Sequence, residues 1–572
     1  MCGFYGLVSR SFHYSLDELN NISQSIYHRG PDANGSIKEI IDKKHVYFNH
    51  NRLSIIDLTE NGTQPFKSED ENYILIFNGE IYNFKEIREE LIDKNIIFKT
   101  KTDTEVLLKA WIEWGEKSLV KLRGMFSFSI LDKKKNKIFL VRDNFGMKPL
   151  YYYKDEENFF FASEIICILK LLKKKIEINF DRSYQYLIYG NHDDTNETFF
   201  KNIYQLRPGE FLSINLKDDL IKKKIWWQPN SDLVKNITFD KAKSEIRQKF
   251  LDSVKMHLIS DVKIGVALSG GIDSSSITCA IKHLNPKEKI DLISFIPKNK
   301  EDDESAWIGN VEKHLNENSN KVFQSKTNIS NIIDELIEAQ GEPFGDTTIL
   351  AEYLIFKEAK KMNIKVLLMG HGGDEVFVGY DGFPGAIIKT LIKNFEIKKL
   401  LKFCFKWKKN NNASFFELLK KISNEFIDGK LKTFLLNLLG KNKKPNWIRK
   451  DFLQKKNVSL GLKENKYFIK NNRNLANKQL SNVFFKNLPA MLRYADRSSM
   501  KNSIECRLPF LNNDLFSYCL SLPENYLVSD EGKTKYIFRE SMKNLLPNEI
   551  FNRNDKIGYL KNNKFIFEII EK

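Results

Sequence analysis

Cysteine occupies the second position of the chain, where removal of Met1 places a thiol and the α-amino group on one residue. An α-amine has an unperturbed pKa of about 8, so a useful fraction is neutral near neutral pH and can accept the thiol proton. An N-terminal threonine uses its own amine as a base in the same way. Cys2 is therefore a candidate nucleophile, and an accident of the start site is the alternative.

A second chemical signature is the loop Ser269-Gly270-Gly271. It follows an apolar strand that begins at Lys263, and it precedes a helix that starts near Asp273. Glycines let a backbone approach phosphate oxygens, and a helix N-terminus directs N–H groups at them. A carboxylate beside phosphate needs a bridging cation, which Mg²⁺ supplies. The spacing differs from the P-loop pattern. The segment predicts a phosphate loop, with a plain serine–glycine turn as the alternative.

The elements that must position Cys2 are short. Apolar runs predict strands at 73–77, 137–141 and 159–162, and the first is closed by Asn78-Gly79, a turn dipeptide. Residues 103–114 have helical periodicity. These patterns predict a layered α/β domain with mostly antiparallel strands.

The elements around the phosphate loop indicate a doubly wound α/β domain. Further strands are predicted at 290–296 and from Lys365, the latter ending in a glycine loop that contains Asp374 and Glu375. Ligands of such sheets bind outside the carboxyl ends of the strands, where all of these loops fall.

Six motifs in the N-terminal part occur in the order of one family and resemble the glutaminase domain of class II amidotransferases, in the asparagine synthetase branch. They are Cys2–Gly6, His28–Asp32, Arg52–Asp57, Asn78–Asn83, Thr102–Glu105 and Arg142–Tyr152. The resemblance implies an αββα fold of the Ntn-hydrolase type over residues 1–215.

Each implied role in this domain has a chemical reason. A thiolate attacking the glutamine amide builds an oxyanion, for which the side chain of Asn78 and the N–H of Gly79 would be donors. By resemblance, Arg52 would hold the substrate's α-carboxylate. Asp103 would hold its α-ammonium group, with Glu80 nearby.

The segment 237–572 resembles the ATP-pyrophosphatase domain of enzymes that adenylylate a carboxylate and release pyrophosphate. Supporting motifs are Tyr494–Met500, Ile504–Leu511, Thr534–Arg539 and Lys556–Tyr559. The resemblance implies Mg²⁺ ligands at Asp273 and Asp374, and places Lys535 at the reacting phosphorus. It implies ATP contacts at Leu268, Ser269, Gly270, Gly271, Asp273, Ser274, Ser294, Phe295, Met369 and Gly370.

Together the two halves predict an enzyme with two sites, using ATP and Mg²⁺. Glutamine is hydrolysed at Cys2, and ammonia travels internally to a carboxylate activated as an acyl-adenylate, giving an amide, AMP and pyrophosphate. The expected acceptor is L-aspartate, with a sugar acid or other carboxylate of surface-polysaccharide assembly as the alternative. A non-catalytic relative is disfavoured, because the chain retains Cys2, Asn78, Asp273, Asp374 and Lys535 together.

The sequence departs from the family pattern near the acceptor. Asparagine synthetases commonly have Glu, Asp or Gln where this chain has His371, and that position faces the acceptor in relatives. His371 is a candidate general base for the incoming amine, and a neutral hydrogen-bonding role is equally compatible with it. Val378 replaces a usual glycine and Asn512 a usual aspartate.

Composition and charge exclude several classes. The 572 residues predict more than one domain. No apolar run approaches the ~20 residues of a membrane span, no signal peptide is evident, and the six cysteines lack paired spacing. A cytoplasmic enzyme is therefore expected, and a homodimer is a further expectation. Residues 381–480 hold 24 Lys and Arg against 7 Asp and Glu, which accounts for the whole net charge of +17. A general attraction to nucleic acid is therefore not predicted.

The basic segment, at about 381–480, is predicted to be a helical insertion. Apolar residues between Ala386 and Trp407 recur with helical spacing among lysines, which predicts one basic amphipathic helix. The common explanation is a helix that packs its apolar face on the synthetase core. The sharper hypothesis is contact with an anionic membrane surface.

Overall fold

The computed structural model describes residues 2–234, 236–380, 382–410, 426, 447–462 and 473–553. The strands are β1 (Gly3–Ser9), β2 (Ala33–Ile41), β3 (Lys44–Arg52), β4 (Phe66–Lys67), β5 (Tyr73–Ile81), β6 (Gly124–Asp132), β7 (Lys137–Arg142), β8 (Tyr151–Lys154), β9 (Asn158–Ala162), β10 (Ile203–Gln205), β11 (Glu210–Asn215), β12 (Ile221–Ile225), β13 (Ile264–Ala267), β14 (Asp291–Ile296), β15 (Ser319–Phe323), β16 (Val366–Leu368) and β17 (Glu505–Arg507).

The α-helices of the described residues are numbered in chain order. They are α1 (Leu16–Gln24), α2 (Phe84–Ile92), α3 (Asp103–Trp114), α4 (Ile165–Leu172), α5 (Phe180–Tyr189), α6 (Phe239–His257), α7 (Ile272–Leu284), α8 (Ser305–Leu315), α9 (Lys326–Gln340), α10 (Thr348–Lys361), α11 (Gly373–Val376), α12 (Phe383–Lys393), α13 (Ile397–Asn410), α14 (Lys450–Lys455), α15 (Asn474–Phe485), α16 (Asn487–Lys501), α17 (Asn513–Ser521), α18 (Glu524–Leu527), α19 (Tyr536–Met542) and α20 (Asn548–Asn552).

The N-terminal domain has two antiparallel sheets, ordered β10-β8-β9-β1-β3-β2 and β12-β11-β7-β6-β5-β4. Successive side chains of a strand point to opposite faces. In β1, accordingly, Phe4 and Val8 pack between the sheets, whereas Tyr5 and Leu7 pack under α1 and α4. On the other outer face, Trp111 of α3 contacts the rings of β6 and β7. The predicted αββα layering is confirmed.

The predicted turn at Asn78-Gly79 is wrong. Strand β5 runs through both residues to Ile81, and they pair with Ser127 and Phe126 of β6. A buried partner strand on this side supplies backbone hydrogen bonds, which override the local turn preference of the dipeptide. The predicted helix over residues 103–114 has the bounds of α3, and the runs at 137–141 and 159–162 form β7 and β9.

The C-terminal domain is built on a parallel sheet in the order β15-β14-β13-β16-β17. From β13 at the centre, the chain adds β14 and β15 towards one edge of the sheet, and it later adds β16 and β17 towards the other edge. The direction of strand addition therefore changes between β13 and β16. Loops after these two strands diverge and leave a crevice at their carboxyl ends. The doubly wound parallel sheet is confirmed, and the two predicted glycine loops flank the crevice.

The basic segment is partly described. The single helix predicted from Ala386 to Trp407 is wrong, because the chain forms α12 and α13 with a turn between them. Phe395 adopts a left-handed conformation in that turn (φ 57°), and the N–H of Glu396 donates to Leu391 O, which closes α12 as helix C-termini commonly close. Phe403 and Trp407 are buried against the synthetase core, so the packing role is supported.

Other expectations lie outside the described residues: the basic stretches 411–425, 427–446 and 463–472, and the motif Lys556–Tyr559. Within the described part of the chain, no helix has the length and apolar character needed to cross a bilayer.

Candidate functional site

Cys2 directly precedes β1 and is buried. Its nitrogen donates to Asn78 Oδ1 (3.0 Å), and its carbonyl oxygen accepts from Arg29 Nε (3.1 Å). Burial raises the pKa of the Cys2 thiol, and the Leu53 N–H and the Arg52 charge oppose that rise. The residue is thus fixed at both ends of its backbone, with a cation near its sulfur.

The oxygen and the nitrogen of the Asn78 side chain have different hydrogen-bonding environments. Its oxygen is occupied by the Cys2 nitrogen, while its buried Nδ2 has no hydrogen-bond partner among the described residues. A buried donor without a partner is uncommon in folded proteins. Its position beside Cys2, next to the backbone of Gly79, fits the predicted donor to a substrate oxygen.

One pocket is lined by the residues expected to bind glutamine, except Asn78, whose Oδ1 accepts from the Cys2 nitrogen at the same place. Its walls include Cys2, Arg52, Gly79, Glu80 and Asp103. The guanidinium of Arg52 is anchored by the carbonyl oxygens of Ile56, Asp57 and Thr59. The structure therefore brings together the residues that the sequence separates by about a hundred positions.

Two carboxyl groups of this pocket have shifted acidities. Burial raises the pKa of Asp103 to about 6, although the Ile81 N–H donates to Asp103 Oδ2 (3.0 Å). Burial, with Asp103 and Glu505 nearby, raises the pKa of Glu80. Crowded, buried carboxyl groups favour a bound cation, as the ammonium group of an amino acid would provide.

The second site is the crevice between β13 and β16, with a volume of about 250 Å³. Lys535 Nζ lies there between two carboxylates, 2.7 Å from Asp273 Oδ1 and 2.8 Å from Asp374 Oδ1. Burial lowers the pKa of Lys535, but the two carboxylates reverse that effect and raise it, so the amine stays charged. A side chain at Gly379 would meet Asp374 Oδ1 and Lys535 Cε, and this close approach requires glycine.

The residues expected to bind ATP divide into two groups. Those that line the crevice are Ser269, Gly271, Asp273, Ser274, Met369 and Gly370. The others lie buried at the strand ends behind it: Leu268, Ser294 and Phe295, and Gly270, whose carbonyl accepts from Arg553 (2.9 Å). Their roles stay predictions.

The residues around Lys535 fit a divalent cation in one respect. Asp273 and Asp374 converge on a single point, and Mg²⁺ is commonly held by one or two carboxylates together with substrate phosphates and water. No group of three or more His, Cys, Asp or Glu suited to a metal occurs in the described part of the chain. Substrate phosphates and water would therefore have to complete the coordination.

His371 follows β16 and lines the same crevice. Its Nε2 lies 3.1 Å from Glu352 Oε1 on α10. Burial lowers the pKa of His371, but Glu352, with Glu375 and Asp273 farther away, raises it above its ordinary value. This environment favours the protonated imidazole, which donates hydrogen bonds. The general-base role stays a prediction.

The other two departures have local structural consequences. Val378 adopts a left-handed conformation (φ 54°), which is strained for a β-branched residue and explains the glycine usual there. Asn512 caps α17 by accepting from the N–H groups of Asp514 and Leu515, as an aspartate would.

Sequence reasoning missed a buried charge cluster between the domains. The guanidinium of Arg29 donates to both carboxylate oxygens of Asp496 on α16 (2.8 and 3.1 Å) and to Glu164 Oε1 (2.9 Å). Glu164 also contacts Arg497 (2.8 Å). Arg29 and Asp496 both belong to recognised motifs, but their separation of 467 positions gave no sign of contact.

The crevice also contains polar residues that the sequence did not single out. Arg553 donates to Glu304 Oε1 (2.7 Å), and both line the crevice with Arg539. Two extra arginines suit a site for a polyphosphate, because guanidinium groups bind phosphate oxygens in pairs.

Replacing Asp496 by Asn should slow the chemistry at Cys2. Arg29 then loses one of its two charged partners and keeps Glu164, with a side chain of similar shape at position 496, so the carbonyl of Cys2 is held less firmly. We expect kcat for glutamate release from glutamine to fall about tenfold, equivalent to ~1.4 kcal/mol, with little change in KM, since Arg52 and Asp103 are untouched.

The matched control is Asp514→Asn. Asp514 also pairs across the domains, with Arg123 (2.9 Å), but this pair is exposed and exposed pairs contribute little. Its kinetics should match the unmodified protein. An Asp496→Asn variant with unchanged kcat would contradict the positioning role.

Both halves of the chain match known families. Residues 1–227 match the family described as a glutamine amidotransferase domain, and residues 245–566 match the family described as asparagine synthase. Among curated relatives, glutamine-hydrolyzing asparagine synthetase 1 of Bacillus subtilis (strain 168) is 32% identical, covering 98% of this chain and 87% of that protein.

Two further relatives are named as an asparagine synthetase and as an amidase. A putative glutamine-hydrolyzing asparagine synthetase 2 of Methanocaldococcus jannaschii is 33% identical over 69% of this chain and 80% of its own length. An amidase of Penicillium rubens is 26% identical over 96% of this chain and 85% of its own length. The chain therefore belongs to the asparagine synthase family and carries an N-terminal glutamine amidotransferase domain.

Proposed function

We propose that this ligase makes L-asparagine from L-aspartate, glutamine and ATP, through a β-aspartyl adenylate. The observation that carries the proposal is the pair of sites themselves: Cys2 with a donor reserved beside it, and Lys535 between two carboxylates at the switch point of a parallel sheet. Likeness to asparagine synthetases over nearly the whole chain supports aspartate as the acceptor.

At the first site, the Cys2 sulfur attacks the glutamine side-chain amide. Once Met1 is removed, the nitrogen that donates to Asn78 Oδ1 is an amine, and it takes the thiol proton and passes it to the leaving ammonia. The Nδ2 of Asn78 and the N–H of Gly79 bind the oxyanion. Water then releases glutamate from the thioester.

At the second site, the aspartate side-chain carboxylate attacks the α-phosphorus of ATP and pyrophosphate leaves. Lys535 balances the charge that develops on the phosphate oxygens, and Arg539 and Arg553 face the same crevice. Mg²⁺ held by Asp273 and Asp374 would neutralise the leaving pyrophosphate. Ammonia attacks the acyl-adenylate and displaces AMP.

Ammonia would reach the second site through the domain interface. Arg29, Lys148, Asp496 and Arg497 are all buried there, with Lys148 Nζ 3.9 Å from Asp496 Oδ1. A buried route keeps ammonia from being protonated by bulk water before it reacts.

One observation favours a second candidate acceptor. His371 occupies the acceptor-facing position, where Glu352 raises its pKa above the ordinary value and so favours the imidazolium, whereas the usual residue there is acidic or amidic. A cationic imidazole suits an acceptor with an additional anionic or hydroxyl-rich group, such as a sugar acid. The amidase among the relatives shows that proteins with other names share this architecture.

The decisive experiment uses amide-¹⁵N glutamine, Mg²⁺, ATP and L-aspartate with the purified chain. Labelled asparagine formed together with AMP is the expected result. Glutamate without asparagine would refute aspartate as acceptor and lead to the same assay with sugar acids.

Replacing Cys2 by Ala in that assay tests the two-site assignment. Glutamine-dependent synthesis should vanish, because the nucleophile is gone, while synthesis from free ammonia should persist, because the adenylate site is intact. Loss of both activities, or of neither, would contradict the assignment. A Cys404→Ala variant, which changes a thiol outside both sites, is the control.

The affinity for glutamine should depend on pH through Asp103. This carboxyl must be ionised to hold the substrate ammonium group, and its pKa lies at about 6. KM for glutamine should therefore rise as pH falls through about 6 and level off above it. Asp103→Asn should raise KM about 10- to 100-fold, the loss of one charge-assisted hydrogen bond, and flatten the profile. A flat profile in the unmodified protein would refute this role.

Replacing Glu352 by Gln tests the charge on His371. Without the carboxylate, the pKa of His371 falls, so the imidazole loses its proton at a lower pH. If the imidazolium binds the acceptor, the variant should have a higher KM for the acceptor, and this KM should start to increase at a lower pH than in the unmodified protein. Glutamate release should stay unchanged. An acceptor KM that is the same in both proteins across the pH range would contradict this role.

A further inference from the structure

Helix α13 has apolar residues on two faces, and among the described residues only one of these faces packs on the protein. Phe403 and Trp407 are buried against the synthetase core, and the Trp407 ring lies so close to Gly532 that a side chain at position 532 would collide with it. The second face carries Ile397, Leu401 and Phe405, which are 63%, 66% and 73% exposed.

These exposed residues form a continuous surface. Ile397, Leu401 and Phe405 follow one another at intervals of four residues, so they lie in one row along the helix. Phe395, 85% exposed in the preceding turn, extends the row. We call these four residues the outer row. Exposed apolar residues that occur singly are ordinary, but a contiguous row indicates an interaction surface.

The apolar arc of α13 is wider than its core contact requires. Successive helical residues are about 100° apart, so buried and exposed apolar side chains together span about 200°. An apolar stripe of about 100° is enough for a helix that packs on a core. The outer row is therefore a second apolar face of the same helix.

The charges around the outer row are predominantly positive, although Glu396 lies between Phe395 and Ile397. Helix α13 contains six lysines and no Asp or Glu. Among the described residues, three of them pair with acidic side chains: Lys399 with Glu396, Lys402 with Asp530 (3.6 Å) and Lys406 with Glu531 (3.4 Å), in pairs at least partly exposed to solvent. At helical spacing, Lys398 and Lys409 border the outer row on the side away from the core. Long lysine side chains beside apolar residues can extend their amines to an aqueous boundary.

We propose that α13 docks the protein on an anionic lipid surface. The outer row enters the boundary between headgroups and acyl chains, and the lysines beside it contact the anionic headgroups. This combination of an apolar row with flanking cations is the pattern of helices that lie in a membrane interface.

Charge complementarity selects this occupant over the alternatives. A second copy, related by a twofold axis, would bring the same six lysines face to face. Nucleic acid would contact the lysines and leave the outer row in water. An anionic bilayer uses both properties at once.

Co-sedimentation of the full chain with vesicles tests the proposal. Phosphatidylcholine vesicles with phosphatidylglycerol should retain the protein at low salt, whereas pure phosphatidylcholine vesicles should not. High salt should release it, because the charges on both surfaces are screened. Leu401→Gln with Phe405→Gln should lower the partition coefficient about tenfold or more, while glutamate release stays unchanged.

The matched control replaces equally exposed apolar residues elsewhere, Leu16→Gln with Ile97→Gln, both 77% exposed. This variant should bind anionic vesicles like the unmodified protein. A second variant, Lys398→Gln with Lys409→Gln, should bind less tightly and lose part of its salt dependence.

Three outcomes would overturn the proposal. The first is a protein that anionic vesicles at low salt do not retain. The second is retention that the lysine variant weakens but the outer-row variant does not, which would mean charge attraction without insertion. The third is an outer row that holds two copies together, seen as a dimer that Leu401→Gln with Phe405→Gln converts to monomer without any vesicle binding.

Discussion

The buried guanidinium of Arg29 is the contact on which the two-site arrangement depends. It donates to the carbonyl oxygen of Cys2 on one side and to the carboxylates of Glu164 and Asp496 on the other. A buried cation is tolerated only with paired charges, and removing one partner of such a pair costs about 3–5 kcal/mol. The position of Cys2 is thus set partly by a residue of the synthetase domain. The glutaminase half is not an independent module attached by a linker.

The synthetase half also contains a buried cation that is held between two carboxylates. There the charged group is Lys535, held between Asp273 and Asp374 at the point where the order of strands reverses. Glycine at position 379 leaves room for that contact, and the strained backbone of Val378 precedes it. Lys535 contacts both carboxylates at once and offsets part of their negative charge within the crevice.

Much of this could be predicted from the sequence, because local patterns coincide with the tertiary structure at many positions. Helix α3 and strands β7 and β9 follow from periodicity, and the glycine loops follow from apolar strands that end abruptly. The turn at Asn78-Gly79 was mispredicted because pairing with β6 overrides the dipeptide's preference. The break between α12 and α13 was missed because apolar spacing continues through the turn. The contact of Arg29 with Asp496 and that of His371 with Glu352 join residues of different elements, and no local pattern encodes such contacts.

The contact between Trp407 and Gly532 links the exposed helix α13 to the loop that carries Lys535. Gly532 lies three residues before Lys535, so the helix that carries the outer row is also the support of the loop that delivers the lysine to the crevice. A protein held at a surface by α13 would keep the mouth of the crevice at a fixed height and orientation above it. An acceptor attached to the same surface would then find the enzyme by diffusion in two dimensions, and its local concentration would be set by area instead of volume.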